Sequence, residues 1–140
     1  MPRFPIPEAV IESLGCPTPE GHPVLLVFLS PSCPHCRASV PVLNRIAGIC
    51  GDLWLCGIMT RPLTDTAMVH WENERGGVDF PIWAPPTELF TQMVRDLHVH
   101  ETPLLLLMDR SGVVRNIYRS EITRFEDHLH RRVERLCNES

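Results

Sequence analysis

The stretch that most constrains this chain is Val24 to Ala47, VLLVFLSPSCPHCRASVPVLNRIA. It begins with a near-continuous apolar run, Val24 to Ser30. That run is too short for a membrane span and suits a strand buried on both faces. A Pro-Ser turn follows, and Cys33-Pro34-His35-Cys36 then opens a helical pattern. Cys36, Val40, Leu43 and Ala47 recur at i, i+4, i+7 and i+11, so they share one face. Arg37, Asn44 and Arg45 fall elsewhere. A Cys-x-x-Cys pair where a strand hands over to a helix points to redox chemistry.

The reason lies in the helix terminus. The first N–H groups of a helix have no internal partner and carry the positive end of the dipole. A thiolate at that point is stabilised, which should bring the Cys33 pKa below the free value of about 8.5. Cys36 lies one turn further in, within reach for a disulfide with Cys33. Pro34 fits the first turn, where its missing N–H costs nothing. His35 can donate a hydrogen bond or carry charge near Cys33. The competing reading is half of a structural zinc site, which needs four ligands. The chain has no second Cys-x-x-Cys and no His-x-x-x-His, so Cys50 and Cys56 would have to complete such a site.

These residues resemble the strand, Cys-x-x-Cys and first helix of the thioredoxin superfamily, including Pro41 five residues after Cys36, where the family helix kinks. Downstream, Glu101-Thr102-Pro103-Leu104 to Asp109, then Arg110-Ser111-Gly112-Val113, resemble the family's cis-proline loop, strand, turn and final strand. The closest resemblance is to bacterial TlpA-like and MauD-like thiol–disulfide oxidoreductases, while the Cys-Pro-His-Cys tetrapeptide is that of oxidising Dsb-type enzymes.

The resemblance implies one α/β domain over residues 1–140 with a central mixed five-stranded sheet flanked by helices. Its strand order would be 78–83, 53–59, 24–30, 104–108, 113–118, the last two antiparallel to the first three. Residues 60–98 would be a family-type insertion before the cis-proline strand, and 1–21 an irregular lead-in. The implied activity is disulfide exchange with protein substrates, without cofactor or metal. Cys33 would form the mixed disulfide, Cys36 would resolve it and His35 would tune the balance. Thr102 and the cis Pro103 would position the substrate chain, Thr102 offering its backbone to that chain in a short β-type pairing and its side chain to the Cys33 sulfur.

The chain departs from thioredoxin itself at two positions. The buried acid six residues before the first cysteine is Val27, leaving Glu101 or water to help Cys36. The aromatic residue before that cysteine is Ser32. A second reading of the fold is a copper- or zinc-binding module using Cys33, Cys36 and a nearby histidine, since thiolates and imidazoles suit those metals. His98 and His100 flank Val99 just before the loop, although solvent-exposed loop histidines are the default there.

The rest of the chain reads as alternating strands and helices. Leu53 to Met59 is a second buried strand. Thr64-Asp65 caps a helix stopped by Gly76-Gly77, and a helix with Leu89, Phe90, Met93, Val94 and Leu97 on its apolar side follows Pro85-Pro86. Leu104 to Met108 is another apolar strand, joined through Arg110-Ser111-Gly112 to Val113–Tyr118 as a hairpin. Ser120 caps a last helix with Ile122, Phe125, Leu129, Val133 and Leu136 on one stripe.

A length of 140 residues suffices for a core without staples. A net charge of −4, with no clustered cationic stripe, excludes nucleic acid as a partner. No apolar window is long enough to span a membrane. The partners expected are protein thiols and disulfides and a second redox protein, with the chain a monomer. The location is cytoplasmic if Met1 is the native start and periplasmic-facing if a leader or anchor precedes it. Cysteines also occur at 16, 50, 56 and 137. Cys56 and Cys137 read as buried thiols, and Cys16 and Cys50 are free to pair.

Overall fold

The computed structural model describes residues 21–30, 33–60, 80, 82–83, 102–119 and 122–139. The lead-in, most of the 60–98 segment, His98, His100, Glu101, Ser120 and Cys16 lie outside these, as do the helices expected at 64–75 and 85–97.

β1 (Val24–Leu29) is buried along its whole length. Val24, Leu26 and Phe28 face one side and Leu25, Val27 and Leu29 the other, none more than 3% exposed. A continuous apolar run is what a strand covered on both faces requires, because alternation would leave polar groups inside. α1 (Pro34–Ala47) follows and buries Cys36, Ser39, Val40, Val42, Leu43 and Ile46. Its buried face is wider than the predicted stripe, and Ala47 is only partly covered. Pro41 sits inside this helix, where it withholds one N–H from the ladder.

β2 (Trp54–Met59), β3 (Ile82–Trp83), β4 (Leu104–Met108) and β5 (Val114–Arg119) complete a sheet of order β3-β2-β1-β4-β5. β2 runs parallel to β1 and β3 parallel to β2. β4 runs antiparallel to β1 and β5 antiparallel to β4. The expectation that the last two strands both oppose the first three therefore holds for β4 alone. The hairpin reverses the chain once more, so β5 points the same way as β1. β3 is also shorter than the expected 78–83. Phe80, the described residue before it, already lies outside the strand.

Two glycines have specific work. Gly57 in β2 faces Phe80, Ile82 and Leu29, whose side-chain carbons would lie 3.2–3.3 Å from any added Cβ. Gly112 takes φ +83° at the end of the β4–β5 turn, the left-handed position of a three-residue hairpin loop. Asp109 holds that turn by accepting from the N–H groups of Ser111 (2.9 Å) and Val113 (3.0 Å).

The last helix differs from its prediction. A 3-10 turn (Ile122–Phe125) precedes α2 (Glu126–Asn138), and Phe125 occupies the N-cap without a side-chain bond. Phe125 is 45% exposed, off the stripe that Ile122, Leu129, Val133 and Leu136 bury. It leans instead on Tyr118, ring centroids 6.4 Å apart. α2 packs with α1 on the face of the sheet carrying Leu25, Val27, Leu29, Leu55, Leu105 and Leu107. Each fully buried Leu or Ile there contributes about 1.5–3 kcal/mol.

α2 is held at both ends. At its start, Glu126 receives the Arg45 guanidinium through two bonds of 2.6 and 2.7 Å. At its end, Cys137 forms a disulfide with Cys50, with Cα atoms 6.6 Å apart. This corrects both cysteine expectations: Cys137 is not a thiol, and Cys50 pairs with it rather than with Cys16. The packing of α2 along α1 brings the two together across 87 residues, a distance over which spacing carries no signal. Arg110 adds a clamp beside the bridge, donating to the carbonyls of Cys137 (2.9 Å), Glu139 (2.8 Å) and Gly21 (2.8 Å). Cations suit the carbonyl-rich end of a helix.

Candidate functional site

The end of β1 and the start of α1 place Cys33 and Cys36 side by side. Cys33 is the N-cap of α1 with extended backbone, and its sulfur accepts the Cys36 N–H at 3.3 Å. The cap position is normally filled by an oxygen that takes an orphan N–H of the first turn. A sulfur in that role is best served as a thiolate, since an anion accepts more strongly than a thiol and meets the positive end of the dipole. Pro34 follows in the first turn, as its lack of an N–H allows.

The two sulfurs sit in different surroundings. Cys33 is partly exposed and Cys36 fully buried, both as free thiols. For Cys33, burial acts to raise the pKa. The hydrogen bonds from the Cys36 thiol, the Thr102 side chain and the backbone N–H groups of Cys36 and His35 outweigh it, and the pKa is lowered. For Cys36, burial dominates and pushes the thiol up to about 12, against the lowering effect of the Thr102 side chain and the Ser30 N–H.

Thr102 and Pro103 come from the far side of the sheet, at the entry to β4. Their peptide bond is cis. The Cys33 thiol donates to the Thr102 carbonyl at 3.4 Å, and the Thr102 side chain faces both sulfurs. Four of the six predicted residues, Cys33, Cys36, Thr102 and Pro103, are thus gathered at one spot, with Pro34 at its rim. His35 is there too, but it is its main-chain N–H that reaches the sulfur, while its side chain is exposed. Val27, where an acid would stand in thioredoxin, is 0% exposed.

Two residues at the site carried no flag in the sequence. The Ser30 N–H donates to the Cys36 sulfur at 3.4 Å, a backbone contact made because β1 ends there. Ser39 is fully buried, and its hydroxyl donates to the Cys36 carbonyl at 2.6 Å. A serine on an otherwise apolar helix face three residues after a cysteine is the signal that could have found it. Among the described residues, no three His, Cys, Asp or Glu side chains gather in a way that could hold a metal ion. No described helix is long and apolar enough to cross a membrane.

No protein-family model matches the chain. No curated protein matches it either. Solved structures do. A Chlorobium tepidum protein assigned as the thiol:disulfide interchange protein DsbE superposes with a TM-score of 0.72 at 21% identity, covering 84% of this chain and 82% of that one. A secreted Mycobacterium tuberculosis disulfide oxidoreductase homologous to E. coli DsbE gives 0.69 at 22%, covering 89% and 92%. A thiol-disulfide isomerase from Corynebacterium glutamicum gives 0.68 at 21%, covering 86% and 84%. At such identities a likeness speaks for architecture, and the architecture of this chain is the thioredoxin fold.

Proposed function

We propose that the chain is a thiol–disulfide oxidoreductase acting on protein substrates through Cys33 and Cys36. The observation that carries this reading is the asymmetry of the pair: an accessible sulfur capping a helix, its pKa lowered, beside a buried sulfur raised to about 12. An exchange enzyme needs one sulfur that meets the substrate and leaves easily and a second that is shielded until the first has reacted. The names of the similar structures, an interchange protein, a disulfide oxidoreductase and an isomerase, agree with it.

In the oxidising direction, a substrate thiolate attacks the Cys33 sulfur of the Cys33–Cys36 disulfide. That bond breaks, and Cys36 leaves and takes up a proton. A second substrate thiolate then attacks its own partner in the mixed disulfide and expels Cys33 as a thiolate. The substrate gains one disulfide and loses two electrons, and the enzyme is left as the dithiol. A second redox protein must reoxidise it. A stabilised Cys33 thiolate favours the reduced form and makes the disulfide more oxidising, so we assign the oxidising direction as the physiological one. Thr102 and Pro103 are assigned to positioning the substrate chain, and His35 to adjusting the Cys33 thiolate.

Equilibration of the Cys33–Cys36 couple against glutathione tests the direction, and insulin reduction tests the exchange itself. The expected potential lies toward the oxidising end of the family range, well above the roughly −270 mV of thioredoxin. A potential at or below that value refutes the oxidising assignment. Undiminished exchange by Cys33→Ala refutes the mechanism.

A further inference from the structure

Exchange makes Cys36 an anion twice, and the fold must carry that charge in a buried place. As the leaving group of the Cys33–Cys36 disulfide, its sulfur keeps the electron pair of the broken bond. As the nucleophile that returns to a mixed disulfide, it must first give up its proton. Cys36 is 0% exposed, and Val27 stands where thioredoxin has its acid. Among the described residues, the groups acting on the Cys36 sulfur are the Thr102 side chain, the Ser30 N–H and Cys33. With Cys33 bonded to a substrate, none of them is a base. What remains are two hydrogen-bond donors, which serve an anion better than they serve a thiol.

Of the two, the Ser30 N–H is fixed by the backbone. β4 begins at Leu104, opposite Phe28, so Ser30 lies beyond the last β1–β4 pair. Its N–H points instead at the Cys36 sulfur, 3.4 Å away and buried. Its carbonyl accepts the Cys33 N–H at 3.2 Å. One residue holds both cysteines by its main chain, and the donor stands in place before any charge forms. A donor fixed in advance where charge develops lowers the barrier in a water-excluded site.

We propose that the Ser30 N–H is a catalytic group: it receives the Cys36 anion each time the Cys33–Cys36 bond breaks or re-forms. The proposal rests on the exchange reading and deepens it. When a substrate thiolate attacks the Cys33 sulfur, the S–S bond breaks and its electron pair stays with Cys36, beside the N–H. That thiolate then takes a proton from water. In reverse, the Cys36 proton goes to hydroxide, Cys36 attacks the Cys33 sulfur of the mixed disulfide, and the substrate leaves as a thiolate. At neutral pH the stable forms are the disulfide and a protonated Cys36, so the bond to the anion exists only in passing. The Ser30 N–H therefore sets the rates in both directions and leaves the equilibrium between them where it was.

The test removes the N–H and nothing from the side chain. The Leu29–Ser30 amide of the full chain is replaced by an ester, through nonsense suppression with the hydroxy-acid analogue of serine. Ser30→Pro is the second variant, since it deletes the same N–H and keeps an amide carbonyl at Leu29 for its bonds from Thr60. Acid-quenched reduction of the oxidised protein by glutathione reads the forward rate at pH 7. Decay of the Cys33–glutathione mixed disulfide reads the reverse rate. Losing a bond to the anion should raise the Cys36 pKa by about one unit. That is about tenfold less thiolate, offset about three-fold by its greater nucleophilicity. Both rates should fall about three-fold in both variants, with the glutathione-derived potential unmoved. The Cys33 pKa, titrated by absorbance at 240 nm in a Cys36→Ala background, should also stay, because Ser30 is not among the groups acting on that sulfur. Unchanged rates in the ester protein overturn the proposal. So does a slowing accompanied by a shifted potential or a shifted Cys33 pKa, the mark of a distorted site. Failure of the wild type to form and resolve the mixed disulfide overturns the exchange reading, and the proposal with it.

Discussion

The Cys50–Cys137 bridge allows a stability prediction worked from the chain itself. Replacing both residues by alanine removes a cross-link spanning 87 residues. The chain-entropy relation for a loop of that size gives about 4–5 kcal/mol of stabilisation through the unfolded state. A chain of 140 residues unfolds with an entropy near 0.3 kcal/mol/K, at about 2.1 cal/mol/K per residue. The double variant should therefore melt about 15 °C below the wild type. The measurement is circular dichroism melting of both proteins without reductant. Alkylation and mass spectrometry of the unfolded wild type confirm that Cys50 and Cys137 are bonded. α1, at 14 residues, spans roughly 20 Å and separates the bridge from Cys33, so exchange at 25 °C should be unaffected. A bonded wild type melting within about 3 °C of the variant, less than about 1 kcal/mol, refutes the argument. It would mean that the unbridged unfolded chain is already as restricted as the bridged one.

Other outcomes follow from single contacts. Thr102→Val removes the side-chain hydroxyl that lowers the pKa of both sulfurs; the Cys33 pKa should rise and the glutathione-derived potential become more reducing. The reduced protein should lose stability as pH climbs above 9, because the Cys36 proton, held to about 12 when folded, comes off at the ordinary 9.0 when unfolded. Tyr118, also raised to about 12, adds a loss of the same sign above 10. Denaturant melts of Cys36→Ala and Tyr118→Phe should each show a flatter alkaline limb, and an unchanged limb refutes the assignment. Gly57→Ala should cost about 1–3 kcal/mol by overpacking against Phe80, Ile82 and Leu29, read as a lower urea midpoint. Arg45→Ala should cost less than about 1 kcal/mol, since its pair with Glu126 is exposed, and the loss should shrink in high salt.

What the sequence made legible was local. The run Val24 to Leu29 announces a doubly covered strand because nothing polar interrupts it. Cys33-Pro34 announces a helix start because the residue types match the needs of a cap and a first turn. Asp109 to Gly112 announces its own turn, the acid serving two N–H groups and the glycine taking the positive φ. What stayed hidden depends on three-dimensional approach. The Cys50–Cys137 pairing follows from how α2 lies on α1, and no spacing rule reaches that far. Ser30 acts through its main chain, which every residue shares, so its type gave no warning. Phe125 looked like part of an apolar stripe because a 3.6-residue period was carried back into a segment wound as a 3-10 turn, where that period fails. The direction of β5 relative to β1 does not follow from its hairpin signal alone, since a hairpin fixes direction relative to β4 and the sense of β4 comes from its antiparallel pairing with β1.

The bridge also divides the site topologically. Residues 50 to 137 form a closed covalent ring that contains Thr102 and Pro103, whereas Cys33 and Cys36 lie on an open arm that leaves the ring at Cys50. One cut by a protease within the ring yields no fragment: the two pieces stay joined, heavier only by the water of hydrolysis, until the bridge is reduced. One cut between Cys36 and Cys50 severs the two sulfurs from the loop that faces them. The segment from 61 to 101 can thus be nicked with both halves of the site still in one molecule, a tolerance that the arm does not share.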